Sequence, residues 1–212
     1  MSTISRKEKE KLAREKDIIN AAEKVFTVMG YNDASMEAIA KEAQFTRKTL
    51  YQYFTDKEDL LFTVIIRGFE RLLCTLKNAV VNGNNGYDKL KHLINAYCQF
   101  YKEAPNTLNL MNYIGYIKPT AENTAKRIEF NKVSEQLAHE IAKIIDEGKA
   151  DGSIRSDFDT MRLTHSAEFL ITGFFHMFSI SGKTFTEHFL LNEDDFINFS
   201  MNLLCDIFHE KK

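Results

Sequence analysis

Arg47, Lys48, Thr49, Tyr51 and Gln52 crowd one short stretch of this 212-residue chain. Cations, hydroxyls and an amide so close together can read base edges and phosphates in a nucleic-acid groove. An arginine holding guanine O6 and N7 together contributes about 1–3 kcal/mol of discrimination. Taken alone, the same residues would be an ordinary solvated helix start. What lifts them above that is their setting. Thr46 can cap the helix that carries them, with Phe45 before the cap and Leu50 at the fourth position placed to staple its entry. Upstream, Met36, Ile39, Ala40 and Ala43 fall at i, i+3, i+4 and i+7, the apolar stripe of a two-turn helix. Two such helices around a tight break form a helix-turn-helix, whose second helix offers its N-terminal residues to the major groove. Lys57 follows Asp56 at the start of the next helix, where the dipole disfavours a cation by about 0.3–1 kcal/mol. A phosphate arriving there would gain both the free N–H groups and the ammonium.

From Ile18 to Leu61 the chain resembles the TetR-type bacterial transcriptional regulators. The matching words are Ala21-Ala22, Phe26, Gly30-Tyr31, Ser35-Met36, Ile39-Ala40, Ala43, Thr46, Thr49-Leu50-Tyr51, Tyr53-Phe54 and Lys57. Two positions depart from the usual pattern. Gln44 stands in the turn where glycine is usual, and a left-handed residue there costs about 1 kcal/mol. Lys48 stands where a small residue is frequent, so no relative's operator carries over. The resemblance implies DNA contact through Ser35, Thr46, Arg47, Lys48, Thr49, Tyr51, Gln52, Tyr53 and Lys57, with Tyr51 and Tyr53 on the backbone. Which of Arg47 and Lys48 reads a base stays open.

These residues need elements to hold them, and the chain supplies helices. Two prolines and nine glycines favour long helices over a turn-rich β fold, and no strand-like alternation stands out. The first helix is expected over Arg6–Met29, ended by Gly30. Its mixed-charge start, Arg6 to Lys16, reads as a frayed, solvated end in preference to an arm along the minor groove. A fourth helix carries Leu60, Leu61, Val64, Ile65 and Phe69 out of the head, up to the Gly83–Gly86 turn. Further helices are expected over Tyr87–Ala104, Asn106–Ile117, from beyond Pro119 to about Glu147, Thr160–Ser181 and Asp194–His209, with a loop at Gly148–Asp157. The expected fold is all-α: a three-helix DNA-binding head (1–57) on a helical bundle for dimerisation and ligand binding (58–212).

Net charge is −2, which on its face argues against a nucleic-acid partner. Distribution matters more. Residues 1–57 hold 11 Lys and Arg against 9 Asp and Glu, and the remainder holds 17 against 21, so a slightly basic head sits on an acidic body. The polar Ser-Arg-Lys-Glu start and the lack of a long apolar run predict a cytoplasmic protein with no membrane partner. Cys74, Cys98 and Cys205 lie in apolar helical patterns and read as reduced core cysteines.

In the body, Leu163, Ala167, Leu170, Phe174, Phe196, Phe199, Leu203 and Ile207 spread apolar surface over more than one face of the last two helices. A homodimer interface is expected there. Phe100, Tyr101, Met111, Tyr113, Tyr116, Phe130, Phe169, Phe175 and His176 combine rings with a few polar tips, as drug-sized pockets do and as plain cores also do. No cofactor or metal is expected. His165, Glu168 and His176 could suggest a metal, but the second Glu-x-x-His set of a di-iron bundle is missing. The function read from all this is a repressor released from operator DNA by a small hydrophobic or aromatic effector. A DNA-bound scaffold without effector and, further off, a helical metalloenzyme are the competing readings.

Overall fold

The computed structural model describes residues 5–117 and 124–210, with the side chain of Tyr116 outside that description, as is the break expected at Pro119. Helix α1 (Arg6–Asp33) opens on a reciprocal cap: Ser5 Oγ accepts from the Glu8 N–H at 3.2 Å, and the Glu8 carboxylate accepts from the Ser5 N–H at 2.9 Å. The frayed start expected from the sequence is therefore a capped helix. Gly30, at φ +73, breaks α1 as expected, and a short turn follows to Asp33.

Helices α2 (Met36–Glu42) and α3 (Arg47–Leu50) make the helix-turn-helix, and α4 runs over Lys57–Ala79. A 3-10 turn at Val80–Asn82 leads to α5 (Gly86–Glu103) and α6 (Pro105–Asn112), and a second at Tyr113–Tyr116 precedes α7 (Ala125–Asp151). The last two helices are α8 (Thr160–His188) and α9 (Glu193–Phe208). No strand occurs among the described residues beyond an isolated bridge between Ile154 and His209.

Two helices overrun their expected ends at glycines. Helix α7 continues past Glu147 through Gly148, because the backbone of Gly86 packs so tightly on that of Gly148 that a Cβ at Gly86 would overlap it. Helix α8 continues past Ser181 through Gly182, which is buried beneath the Phe178 ring. In both places the missing side chain makes room for a neighbour instead of ending a helix.

The chain divides into two compact units. The first comprises residues 1–68 with 113–130, and the second residues 69–112 with 131–212. The first unit thus extends beyond the 1–57 head read from the sequence, taking the first half of α4 and a segment placed in the body. Its core is Ile18, Ala22, Phe26, Ile39, Leu50, Phe54, Leu60, Leu61 and Ile65, all buried. Arg67 ties α4 to α1 through Asn20 and Glu23. The second unit packs around Phe175, on which Tyr97 and Tyr101 lie at ring separations of 5.3 and 4.7 Å. Cys98 and Cys205 are buried, and burial pushes both thiols up to about 11. Cys74 is exposed, contrary to its expected place in the core. Among the described residues, no helix is long and apolar enough to cross a membrane.

Candidate nucleic-acid interface

Ser35 caps α2 by accepting the Ala38 N–H at 3.1 Å. The helix then ends in a Schellman turn: Phe45 N–H donates to Ala40 O at 2.9 Å, and Gln44 N–H to Lys41 O at 3.2 Å. Gln44 sits at φ +58, taking the left-handed position that its place in the turn demands. Thr46 caps α3, accepting the Thr49 N–H at 3.1 Å while the two threonine hydroxyls meet at 2.9 Å. Beyond Leu50 the chain keeps turning, with Tyr53 and Phe54 N–H groups both donating to Leu50 O. Leu50 and Phe54 are buried, so they fix this segment in the head. Its other side is open: Thr46, Arg47, Lys48, Tyr51 and Gln52 are exposed, with Thr49 and Tyr53 half-buried.

Arg47 is held along that open side, its guanidinium donating to the Tyr51 hydroxyl at 3.2 Å and lying 5.4 Å from the ring centroid. Lys48 makes no ion pair among the described residues. The two cations therefore differ: one is braced by a neighbour, and the other is exposed with no ion pair among the described residues.

Lys57 departs from the expectation. Its ammonium donates to the carbonyls of Tyr31 at 2.7 Å, Ala34 at 2.9 Å and Asn32 at 3.4 Å, and it lies 4.3 Å from the Tyr31 ring centroid. The cation that seemed misplaced at a positive helix end is compensated by carbonyls from the end of α1. It points into the head, so the phosphate contact expected of its ammonium would require breaking these bonds. A lysine aligned with three carbonyls 23 to 26 residues away leaves no periodic trace in the sequence.

The profile "Bacterial regulatory proteins, tetR family" matches residues 18–64, the span that builds this arrangement. Residues 18–64 carry that family's sequence pattern. The regulator HbdR of Aromatoleum sp. (strain CIB) is 32% identical over 85 residues, covering 40% of this chain and 37% of HbdR. UidR of Escherichia coli (strain K12) is 36% identical over 63 residues, covering 30% and 32%. The match thus spans only about a third of these curated relatives. Similarity of fold reaches much further. The transcriptional regulator FadR from Bacillus subtilis, solved in complex with stearoyl-CoA, superposes with a TM-score of 0.72 at 19% identity, covering 92% of this chain and 99% of that one.

The residues expected at a dimer interface divide into two groups. Leu170, Phe199, Leu203 and Ile207 are exposed. Leu163 and Ala167 are instead core residues, and Phe174 and Phe196 are partly buried against it, their rings 6.0 Å apart. Exposed Gly173 continues the α8 stripe, as do Met177 and Ile180, which the sequence reading left out. The i, i+3, i+7 and i+10 spacing of Leu170, Gly173, Met177 and Ile180 could have found it, since it strings these residues along one side of α8.

The expected ligand-lining residues scatter. Phe100, Met111 and Phe175 are core, and Tyr101 packs on Phe175. Phe169 is 79% exposed on the outer stripe of α8, where it lines an open surface cleft with Met161, His165 and Leu170, apart from the other expected lining residues. Tyr113 and Phe130 fall in the first unit: Tyr113 lies 5.5 Å from the Tyr31 ring and donates to Asn32 Oδ1 at 3.4 Å, while Phe130 meets Phe62 at 6.2 Å. His176 is half-buried on α8, and the side chain of Tyr116 lies outside the described residues. A cleft of about 170 Å³ in the second unit is lined by none of these; Leu73, Leu76, Leu93, Leu137 and Ile141 floor it, and the ion pairs Lys77–Glu140 and Lys89–Glu147 rim it. His165 meets Glu168 at 3.0 Å on the exposed side of α8, and no cluster of three metal-binding residues occurs among the described residues.

Proposed function

We propose that this protein is a homodimeric transcriptional repressor that leaves its operator when a small hydrophobic or aromatic effector binds. The observation that carries the reading is the capped α2–α3 pair, anchored by Leu50 and Phe54 and presenting Arg47, Lys48, Tyr51 and Gln52 outward. Only a duplex groove makes full use of such a row. The exposed stripes of α8 and α9 support a two-fold assembly, since a monomer seldom leaves such apolar patches in water. The stearoyl-CoA held by the Bacillus subtilis relative supports an apolar effector. So does Asn112, whose buried Nδ2 has no hydrogen-bond partner among the described residues. An orphaned donor costs about 1–3 kcal/mol, which an acceptor on an effector would offset. Helix α4 supplies residues to both units and is the route by which an effector would shift the head population.

The complete packing of Phe100, Met111 and Phe175 favours a second reading, a DNA-bound scaffold without effector. Selection from a random duplex pool tests the first claim: the wild-type protein should enrich one motif with two-fold symmetry. Titrating small apolar molecules into free protein and into the DNA complex tests the second. Under the effector reading, the factor by which a molecule weakens DNA binding equals the factor by which DNA weakens its binding. Failure of every such molecule to distinguish the two forms would leave the scaffold.

A further inference from the structure

Helix α1 begins three turns before it has anything to bury. Its first buried residue is Ile18, and the apolar Leu12 is 55% exposed. Yet the extension is a capped helix, closed by the Ser5–Glu8 box and the Arg6–Glu10 pair at 3.0 Å. Those two contacts engage two of its acidic residues with partners of their own. Lys7, Lys11 and Arg14, at i, i+4 and i+7, fall on one face of the helix, and none forms an ion pair among the described residues. That face, together with the already partnered Glu8 and Glu10, lines an open cleft of about 630 Å³ whose opposite wall is Gln52 and Tyr53, the end of the groove-reading segment. We propose that this extension is a second DNA-contacting element, with Lys7, Lys11 and Arg14 on backbone phosphates flanking the bases read from Arg47 to Gln52.

The inference rests on the DNA-binding reading and adds to it. Three unneutralised cations at helical spacing, continuous with the groove-facing segment, match a phosphate backbone rather than a small anion. The cap favours the helical form of the extension, so the three cations share one face before DNA arrives. Backbone contacts of this kind fix position and carry no base preference.

The test compares wild type with the triple variant Lys7→Gln, Lys11→Gln, Arg14→Gln. The probe is a duplex enriched by wild type from a random-sequence pool, with about one helical turn of flanking DNA on each side, and the same duplex trimmed of its flanks. The dependence of log affinity on log salt should become shallower by about 3 per bound protomer on the long duplex. On the trimmed duplex it should not change, and the enriched motif should be the same for both proteins. A second variant, Ser5→Ala, removes no charge but loosens the cap, and should weaken binding to the long duplex alone. Equal slopes for wild type and triple variant on the long duplex would overturn the arm while leaving the head's role intact. Failure of wild type to enrich any duplex would overturn both.

Discussion

Lys57 and Arg47 carry the same charge and serve different ends. Lys57 spends its ammonium on three carbonyls and a ring inside the head. Replacing it with alanine should cost about 1–3 kcal/mol of stability, since a charged donor is lost and the acceptors are left facing apolar surroundings. Thermal melting checks this, and the salt dependence of DNA binding should stay as it was. A variant with unchanged melting and a shallower salt slope would instead return Lys57 to the phosphate. Arg47, braced on Tyr51 but exposed, should behave in the opposite way. Arg47→Ala should leave melting unchanged and relax preference at one base per half-site, by about 1–3 kcal/mol. Repeating the duplex selection with the variant reads this directly.

At the scale of elements, two helices end in Schellman turns with no glycine in the left-handed position. Gln44 closes α2 at φ +58, and Leu190 closes α8 at φ +54, with Leu191 N–H donating to Thr186 O at 2.9 Å. Leu190 is 93% exposed, so nothing in its own chain repays the strain. Leu190→Gly should raise stability by a net of about 0.5–1 kcal/mol, the relief of the left-handed strain less glycine's larger chain entropy. A chemical denaturation curve measures it; a lower midpoint would mean that the leucine side chain is covered in the assembled protein. Capping residues and apolar periodicity are local, and so Ser35, Thr46 and the α2 stripe were legible in the sequence. The overrun of α7 and α8 was not, because Gly148 and Gly182 answer to Gly86 and Phe178, partners set by packing. The carbonyl partners of Lys57 were hidden for the same reason, and the exposure of Phe169 because an aromatic at helical spacing looks alike whether it faces a core or water.

At the scale of the whole molecule, the homodimer reading rests on the apolar stripes of α8 and α9. Phe199→Asp with Leu203→Asp should give a monomer that keeps wild-type helicity, read by sedimentation and circular dichroism. Wild-type protein that sediments as a monomer at micromolar concentration would remove the homodimer and, with it, the paired half-sites. The ammonium of Lys57 has a consequence of another kind. It ties the end of α1 and the entry to α2 to the first residue of α4, adding to the Arg67 link between α4 and α1. Amide protons of Ile18–Met29, of α2 and of Lys57–Gly68 should therefore exchange with deuterium at a common slow rate, as one cooperative unit. Those of Arg6–Asp17 should exchange fast, so that one labelling experiment separates a rigid reading head from the helix that precedes it.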